Sequence, residues 1–220
     1  AVDDVLVIRI ERDAPGTLSS RWRYTREAPA DASSSIRQYS DSTLFLLEGR
    51  PANGNAVGSE FALGVLMIPG DDPDRSGHPM GGEPSPSEVV THVGETEVLI
   101  NVPATTSTMT ILIAARTTLR QPGVDLPLSV RSTLRAAATR SYDELLDRHR
   151  ADHLELFDRV ALDLGSSPVS RQPTDRRIES MRNQSDPKPD PSLFALYFNF
   201  GRYLLMGSSR PGTMPANLQG

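Results

Sequence analysis

Two histidines four residues apart are the first side chains whose types and spacing suggest metal binding. His149 and His153 occupy positions i and i+4 of the run HRADH. Two imidazoles at this spacing lie on one face of a helix and can share a zinc ion. The run lacks the glutamate of the H-E-x-x-H pattern, and both histidines fall on a stripe of leucines. Packing against neighbouring protein is therefore the preferred interpretation, and no metal is predicted.

Acidic residues are numerous enough to supply the pair of carboxylates that glycoside hydrolysis requires, but their spacing singles out no pair. The sequence contains 28 Asp and Glu, of which a glycosidase needs two that flank a pocket. A cluster in one predicted helix is explained more simply as its solvated face. The members of this cluster are Asp143, Glu144, Asp147 and Asp152.

The last run of the sequence, SSRPGTMPANLQG, carries the side chains best suited to contact a sugar. Arg210 has a planar guanidinium that can pair with a carboxylate or with carbonyl groups. Asn217 and Gln219 each offer a carbonyl oxygen and an NH2 group, which suit sugar hydroxyls. Either these groups bind substrate, or they tie the loop to its own scaffold. The residue types alone leave both readings open, with Arg210, Asn217 and Gln219 as the candidate substrate-binding residues.

The composition argues against several other kinds of function. A net charge of -5 provides no basic surface for nucleic acid or an anionic membrane, so neither partner is expected. The sequence has no cysteine, which excludes a disulfide framework and thiolate metal sites. No apolar run approaches the length of a membrane span. The first run, AVDDVLVIRI, lacks the basic region and cleavage site of a signal peptide.

Up to about residue 120 the sequence carries the signals of β-strands. Short runs rich in β-branched residues are separated by turn sequences such as APG, ANGN and VGE. Strands with no helix between them indicate antiparallel pairing in a sandwich. A stretch rich in Pro, Gly and Asp, residues 70–87, predicts a long exposed loop. The predicted strands are 5–10, 17–24, 43–49, 60–68, 96–102 and 108–117.

From about residue 131 the apolar residues recur at helical spacing. Ser141 and Glu144 have the spacing of a capping box, and the apolar positions that follow form one face of an amphipathic helix. Gly165 is predicted to end this segment. A polar connector then follows over 166–190, in which QPTDRRIESM predicts a short helix capped by Thr174.

The last predicted helix has no polar face. Asp190 is its expected cap, with Pro191 at its first position. The run SLFALYFNFGRYLLMGSS is apolar on nearly every side, and only Asn199 and Arg202 interrupt it. Because such a helix is normally buried all round, it needs more protein around it than this chain supplies. The sequence is therefore expected to belong to a larger helical domain.

These runs resemble a known family. LFALYFNFGRYLLMGSSRPGTMPANLQG closely resembles the segment that opens the catalytic domain of family 95 glycoside hydrolases, the inverting α-L-fucosidases and their relatives. SYDELLDRHRADHLELFDRVALDLG and PTDRRI resemble the linker helices of that family, and the strands resemble the latter part of its N-terminal β-sandwich. Small departures are Asn199 and Phe200 in place of Gln-Tyr, Arg176 in place of an acid, and Gly207 in place of Ala.

The resemblance implies a mixed β and α fold. The expected parts are an antiparallel β-sandwich (1–130), a helical linker (131–190) and the first helix and loop of an (α/α)6 catalytic barrel (191–220). The implied mechanism is inverting hydrolysis without metal or cofactor, by a glutamic acid together with asparagines and an Asp that position water. These groups are expected beyond this chain, so no catalytic residue is predicted within it.

The resemblance also implies what the protein does. The chain is expected to be a fragment, inactive alone, of an enzyme that cleaves α-L-fucosidic or related α-L-galactosidic linkages. The rest of the parent polypeptide is expected to pack on the linker and first barrel helix, and an extracellular or periplasmic location is a family expectation.

Three alternatives stay open. The strands could form a carbohydrate-binding or structural β-sandwich module with no catalysis, although a stacking platform usually has more aromatic surface than Trp22 and a few tyrosines offer. A metal protein could use His149 and His153. A disaccharide phosphorylase shares the general layout of sandwich, linker and barrel, but the run SSRPG…NLQG is nearer to the fucosidase pattern.

Overall fold

A computed structural model describes most of the chain, which divides into two compact units, Ala1–His149 and Arg150–Gly220. The first unit contains ten strands and a helix among the described residues, and the division falls within the second helix. The described residues are 2–13, 18–23, 37–41, 44–50, 52–53, 56–57, 59–69, 90–93, 97–102, 108–119, 122–182, 189–211 and 213–216.

Antiparallel pairing joins the strands of the first unit. The larger sheet has the order β1-β10-β7-β4-β3, a smaller one has the order β2-β9-β8, and β5 pairs with β6. The strands are β1 (Leu6–Glu11), β2 (Leu18–Arg23), β3 (Arg37–Asp41), β4 (Leu44–Gly49), β5 (Ala52–Asn53), β6 (Ala56–Val57), β7 (Phe61–Pro69), β8 (Val90–Val93), β9 (Glu97–Val102) and β10 (Thr108–Thr117).

Strand β10 lies inside the larger sheet, between β1 and β7, and is buried on both faces. Met109 and Ile111 belong to one apolar cluster, whereas Leu112 and Ala114 belong to another. This division follows from the alternation of side chains along a strand. It explains why TMTILIAART reads as a nearly continuous apolar run rather than an alternating one.

The predicted mixed β and α class with an antiparallel sheet is confirmed, and each of the six predicted strands is present. Four strands were not predicted: the two-residue β5 and β6, and the longer β3 and β8. Strand β3 is an edge strand of the larger sheet, and β8 is an edge strand of the smaller one. Edge strands accept polar residues, so RQYSD and VTHV give little apolar signal. The predicted loop at 70–87 lies outside the described residues, and the sandwich stays a prediction.

A helix not identified from the sequence, α1 (Leu126–Ala138), packs on one face of the larger sheet against β7 and β10. The Asp125 carboxylate accepts a hydrogen bond from the backbone N–H of Leu128 (2.9 Å) and so caps the helix. Val130 and Leu134 are fully buried on the sheet. The expectation that helical periodicity starts at about residue 131 was therefore wrong, because the turn-like run QPGVDLP conceals the first turn of this helix.

Three further helices follow: α2 (Tyr142–Phe157), α3 (Thr174–Arg182) and α4 (Pro191–Ser208), with a 3-10 turn at Pro168–Arg171. The predicted capping box of α2 is confirmed, since the Ser141 N–H donates to Glu144 Oε2 (2.8 Å) and the Glu144 N–H donates to Ser141 Oγ (3.2 Å). Among the helices that the structure describes, none combines the length and apolarity needed to cross a membrane.

The larger sheet approaches α1 closely at Gly64 on β7. A Cβ atom at this position would lie 2.5 Å from Val130 Cγ1 and 2.6 Å from Leu134 Cδ1. We expect Gly64→Ala to lower the free energy of unfolding by about 1–3 kcal/mol, because the β-branched Val130 has little freedom to move away. Chemical denaturation of the single variant measures this loss.

Val130→Ala provides the matched background for this test. It opens space beside residue 64, so Gly64→Ala should cost less stability in the Val130→Ala protein than in the wild type. Strictly additive effects of the two substitutions would contradict the close approach of strand and helix.

Candidate functional site

A buried ion pair fixes the beginning of α4. Arg177 Nε donates to Asp190 Oδ2 (2.7 Å), and Arg177 Nη2 donates to Asp190 Oδ1 (3.1 Å). The same carboxylate accepts hydrogen bonds from the Ser192 hydroxyl (2.8 Å) and from the Leu193 N–H (3.2 Å). Asp190 is completely buried, and Pro191 occupies the first turn. The predicted Asp-Pro start of this helix is therefore confirmed.

Hydrogen bonding shifts the ionisation of both partners. The hydrogen bond from Arg177 is the largest cause that lowers the pKa of Asp190, from 3.8 to about 2, and the hydroxyl of Ser192 acts in the same direction. The hydrogen bond to Asp190 likewise raises the pKa of Arg177 above its ordinary value. Both groups therefore stay charged at any pH at which the protein would normally work.

Arg202, in the middle of α4, satisfies backbone carbonyls at the end of α2. Its guanidinium donates to the carbonyls of Phe157 (2.7 Å) and Val160 (2.8 Å), and contacts that of Leu156 at 3.4 Å. It also lies over the Phe157 ring, 4.7 Å from the centroid. Carbonyls at a helix end lack partners within the helix, so this contact stabilises the termination of α2.

The helix therefore ends eight residues earlier than the sequence suggested. Gly165, predicted to stop the segment, adopts a left-handed conformation (φ 80°) in the loop after α2. Its N–H donates to Asp163 Oδ1 (2.8 Å). The prediction that Gly165 ends the helix was therefore wrong, because the helix already ends at Phe157.

The two histidines have different surroundings. The His153 ring stacks on Phe157, with a centroid distance of 5.1 Å, and Tyr203 lies 6.1 Å away. His149 lines an apolar groove in the first unit together with Leu6 and Leu146. In the part of the chain that the structure describes, no three His, Asp or Glu side chains are grouped so that they could hold a metal ion.

The loop after α4 is fixed by Arg210. Its guanidinium forms an ion pair with Asp152 of α2. Its backbone N–H donates to Thr213 Oγ1 (2.8 Å), and the Thr213 N–H donates to the Arg210 carbonyl (2.9 Å). The other two predicted substrate-binding residues, Asn217 and Gln219, lie outside the described residues. Arg210 is thus the one predicted site residue whose contacts the structure describes.

Asp152 was missed as a partner of this loop. The acids of α2 were assigned to a solvated face, and Asp143, Glu144 and Asp147 are indeed exposed. The Asp152 side chain is only 25% exposed and faces Arg210. The sequence gives one sign of this partly buried position, which is that Asp152 directly precedes His153, a residue of the apolar stripe.

The long apolar helix is open rather than enclosed within this chain. All of α4 is described, and none of its residues is buried. Tyr197 is 76% exposed. The other large apolar side chains of this surface, termed the α4 apolar face, are Phe194, Leu196, Phe198, Phe200, Tyr203, Leu204 and Leu205. Large exposed apolar patches on proteins are commonly binding or contact surfaces.

Comparison with known proteins finds counterparts of this region. Residues 141–220 match the glycosyl hydrolase family 95 catalytic domain. Alpha-L-fucosidase 2 of Arabidopsis thaliana is 45% identical over 85 residues, which cover 36% of this chain and 10% of that protein. The protein named "Probable alpha-fucosidase A" of Aspergillus niger is 32% identical over 136 residues, 62% of this chain and 17% of that protein.

The matched residues begin at Ser141, the cap of α2, and include all of α3 and α4. Over these residues the chain is similar to the catalytic domain of glycoside hydrolase family 95, and its two curated relatives are named as α-fucosidases. It spans 10% and 17% of the lengths of the two curated relatives.

Asp190→Asn tests the ion pair at the start of α4. Asparagine caps a helix as well as aspartate does, so the exchange retains the cap but leaves the buried Arg177 without its counter-charge. We expect a fall of several degrees in Tm near neutral pH. The matched control is Asp125→Asn at the exposed cap of α1, which should leave Tm nearly unchanged.

The pH dependence of this difference has a defined sign. Because folding lowers the pKa of Asp190 to about 2, its stabilising contribution is complete above about pH 4 and is lost as the pH falls through about 2. The difference in Tm between the wild type and Asp190→Asn should therefore be constant above that range and shrink below it. A difference that grows on acidification would refute this account.

Proposed function

We propose that the full-length protein is a glycoside hydrolase that cleaves α-L-fucosidic or related α-L-galactosidic linkages. The observation that carries this proposal is the match of residues 141–220 to the family 95 catalytic domain. The two fucosidase-named relatives support fucose as the sugar. No described feature favours a metal-dependent reaction or a purely carbohydrate-binding role over this one.

The proposed reaction inverts the anomeric centre. In such a reaction one carboxylic acid protonates the departing glycosidic oxygen, while a basic group on the opposite face of the sugar activates water. We propose that these groups belong to parts of the protein other than residues 1–220. Within this chain, Asn217 and Gln219 are the proposed contacts to sugar hydroxyls, since amides donate and accept hydrogen bonds at once.

We further propose that the rest of the polypeptide covers the α4 apolar face, and that α4 is the first helix of an (α/α)6 barrel. The exposure of Tyr197, Phe200 and Leu205 supports this, because each is more than half exposed in the chain alone. Burying such a band in a helical barrel would supply the apolar contacts that the helix lacks here.

The activity is tested by assaying the full-length protein on an aryl α-L-fucoside, with the aryl β-L-fucoside as the anomeric control. Turnover of the α anomer alone is expected. NMR recorded during the first turnovers should show β-L-fucose as the first product, since the mechanism inverts. Initial release of the α anomer would contradict the mechanism, and no turnover of either substrate would contradict the activity.

Tyr197→Glu tests the covering of α4 in the full-length protein. A carboxylate forced into a covered apolar surface loses its hydration, so we expect Tm to fall by several degrees. Gln172→Glu adds the same charge at an exposed position in the 3-10 region and should change Tm little. Equal Tm values for the two variants would argue against a covered α4.

A further inference from the structure

The ion pair between Asp152 and Arg210 joins two elements that are far apart in sequence. Asp152 lies on α2, and Arg210 lies 58 residues later, in the loop after α4. The side chains are 22% exposed for Arg210 and 25% exposed for Asp152. A pair partly shielded from water interacts more strongly than one on the open surface. It therefore holds the loop more firmly than the many exposed ion pairs of this chain hold their own elements.

The described residues of the turn that this pair holds make further hydrogen bonds to one another. The backbone groups of Arg210 and the side chain of Thr213 exchange hydrogen bonds, and the Thr213 hydroxyl also reaches the carbonyls of Arg210 (2.8 Å) and Met214 (3.2 Å). Pro211 and Pro215 restrict the backbone further, because the proline ring fixes φ. One anchor on such a turn sets the direction of the whole segment, whereas a flexible loop would need several.

We propose that Asp152 and Arg210 are positioning residues, which fix the turn from Arg210 to Thr213 and so direct the loop after α4 for substrate binding. This inference rests on the proposed function. In this proposal Arg210 binds Asp152 rather than the sugar. Asp152 then holds the loop, instead of being one more acid on the solvent-exposed face of α2. Neither residue is catalytic. Without the pair, the reacting groups remain, but the loop that contacts the substrate loses its fixed direction.

The test compares Asp152→Asn with Glu155→Gln in the full-length protein. Glu155 lies on the same helix and pairs with Arg159 (3.2 Å) at the exposed surface, so its exchange removes an equal charge without touching the loop. For Asp152→Asn we expect KM for the aryl α-L-fucoside to rise about tenfold with kcat within about twofold, because uniform binding is lost. Glu155→Gln should leave both constants unchanged.

Amide hydrogen exchange gives a readout that needs no activity. The N–H groups of Arg210 and Thr213 are hydrogen-bonded within the turn, so they should exchange faster in Asp152→Asn and at the wild-type rate in Glu155→Gln. The exchanged pair Asp152→Arg with Arg210→Asp restores opposite charges. This double variant should recover slow amide exchange, and its KM should fall back close to the wild-type value.

The outcomes separate the two proposals. If the wild type hydrolyses the fucoside but Asp152→Asn has wild-type KM and wild-type exchange, the positioning role is overturned. Equal effects of Asp152→Asn and Glu155→Gln overturn it as well, as does a loss confined to kcat. If the wild type hydrolyses no fucoside, the proposed function fails, while the exchange experiment still decides whether the pair holds the turn.

Discussion

The buried ion pair between Arg177 and Asp190 is the interaction on which the second unit depends. A carboxylate without access to water is tolerated only when its oxygens are fully hydrogen-bonded. Here they accept from the Arg177 guanidinium, the Ser192 hydroxyl and the Leu193 N–H. The pair joins α3 to α4 and fixes the residue at which α4 begins. Since a helix rises about 1.5 Å per residue, it also determines how far along α4 Arg202 lies.

Arginine, rather than lysine, makes the polar tertiary contacts described for α4 and for the loop after it. Arg202 reaches several carbonyls at the end of α2, and Arg210 reaches Asp152. A guanidinium presents several donors in a fixed plane, so one side chain can bind a carboxylate with two nitrogens or satisfy separate carbonyls while it stacks on a ring. A lysine ammonium would satisfy fewer of these groups. The bias toward arginine, with Lys188 as the one lysine of the sequence, thus has a structural use.

Local patterns predicted the features that depend on neighbours in sequence. The capping box of Ser141 and Glu144, the Asp-Pro start of α4 and strand β10 could all be read directly, because each rests on residues a few positions apart. Helix α1 was missed since its first turn contains Pro127 and follows a run that resembles a loop. The partner of Arg210 could not be predicted, because spacing along the chain contains no information about which of many acids a loop will meet.

The contact between Gly64 and α1 restricts how this sheet can change during evolution. Every other amino acid carries a Cβ atom, so each substitution of Gly64 introduces the same steric clash with Val130 and Leu134. We therefore expect substitutions of Gly64 to be accepted more readily after a smaller residue has replaced a large one on the facing side of α1. Whether a substitution of Gly64 is tolerated therefore depends mainly on whether a change in α1 has preceded it, and less on which residue replaces the glycine.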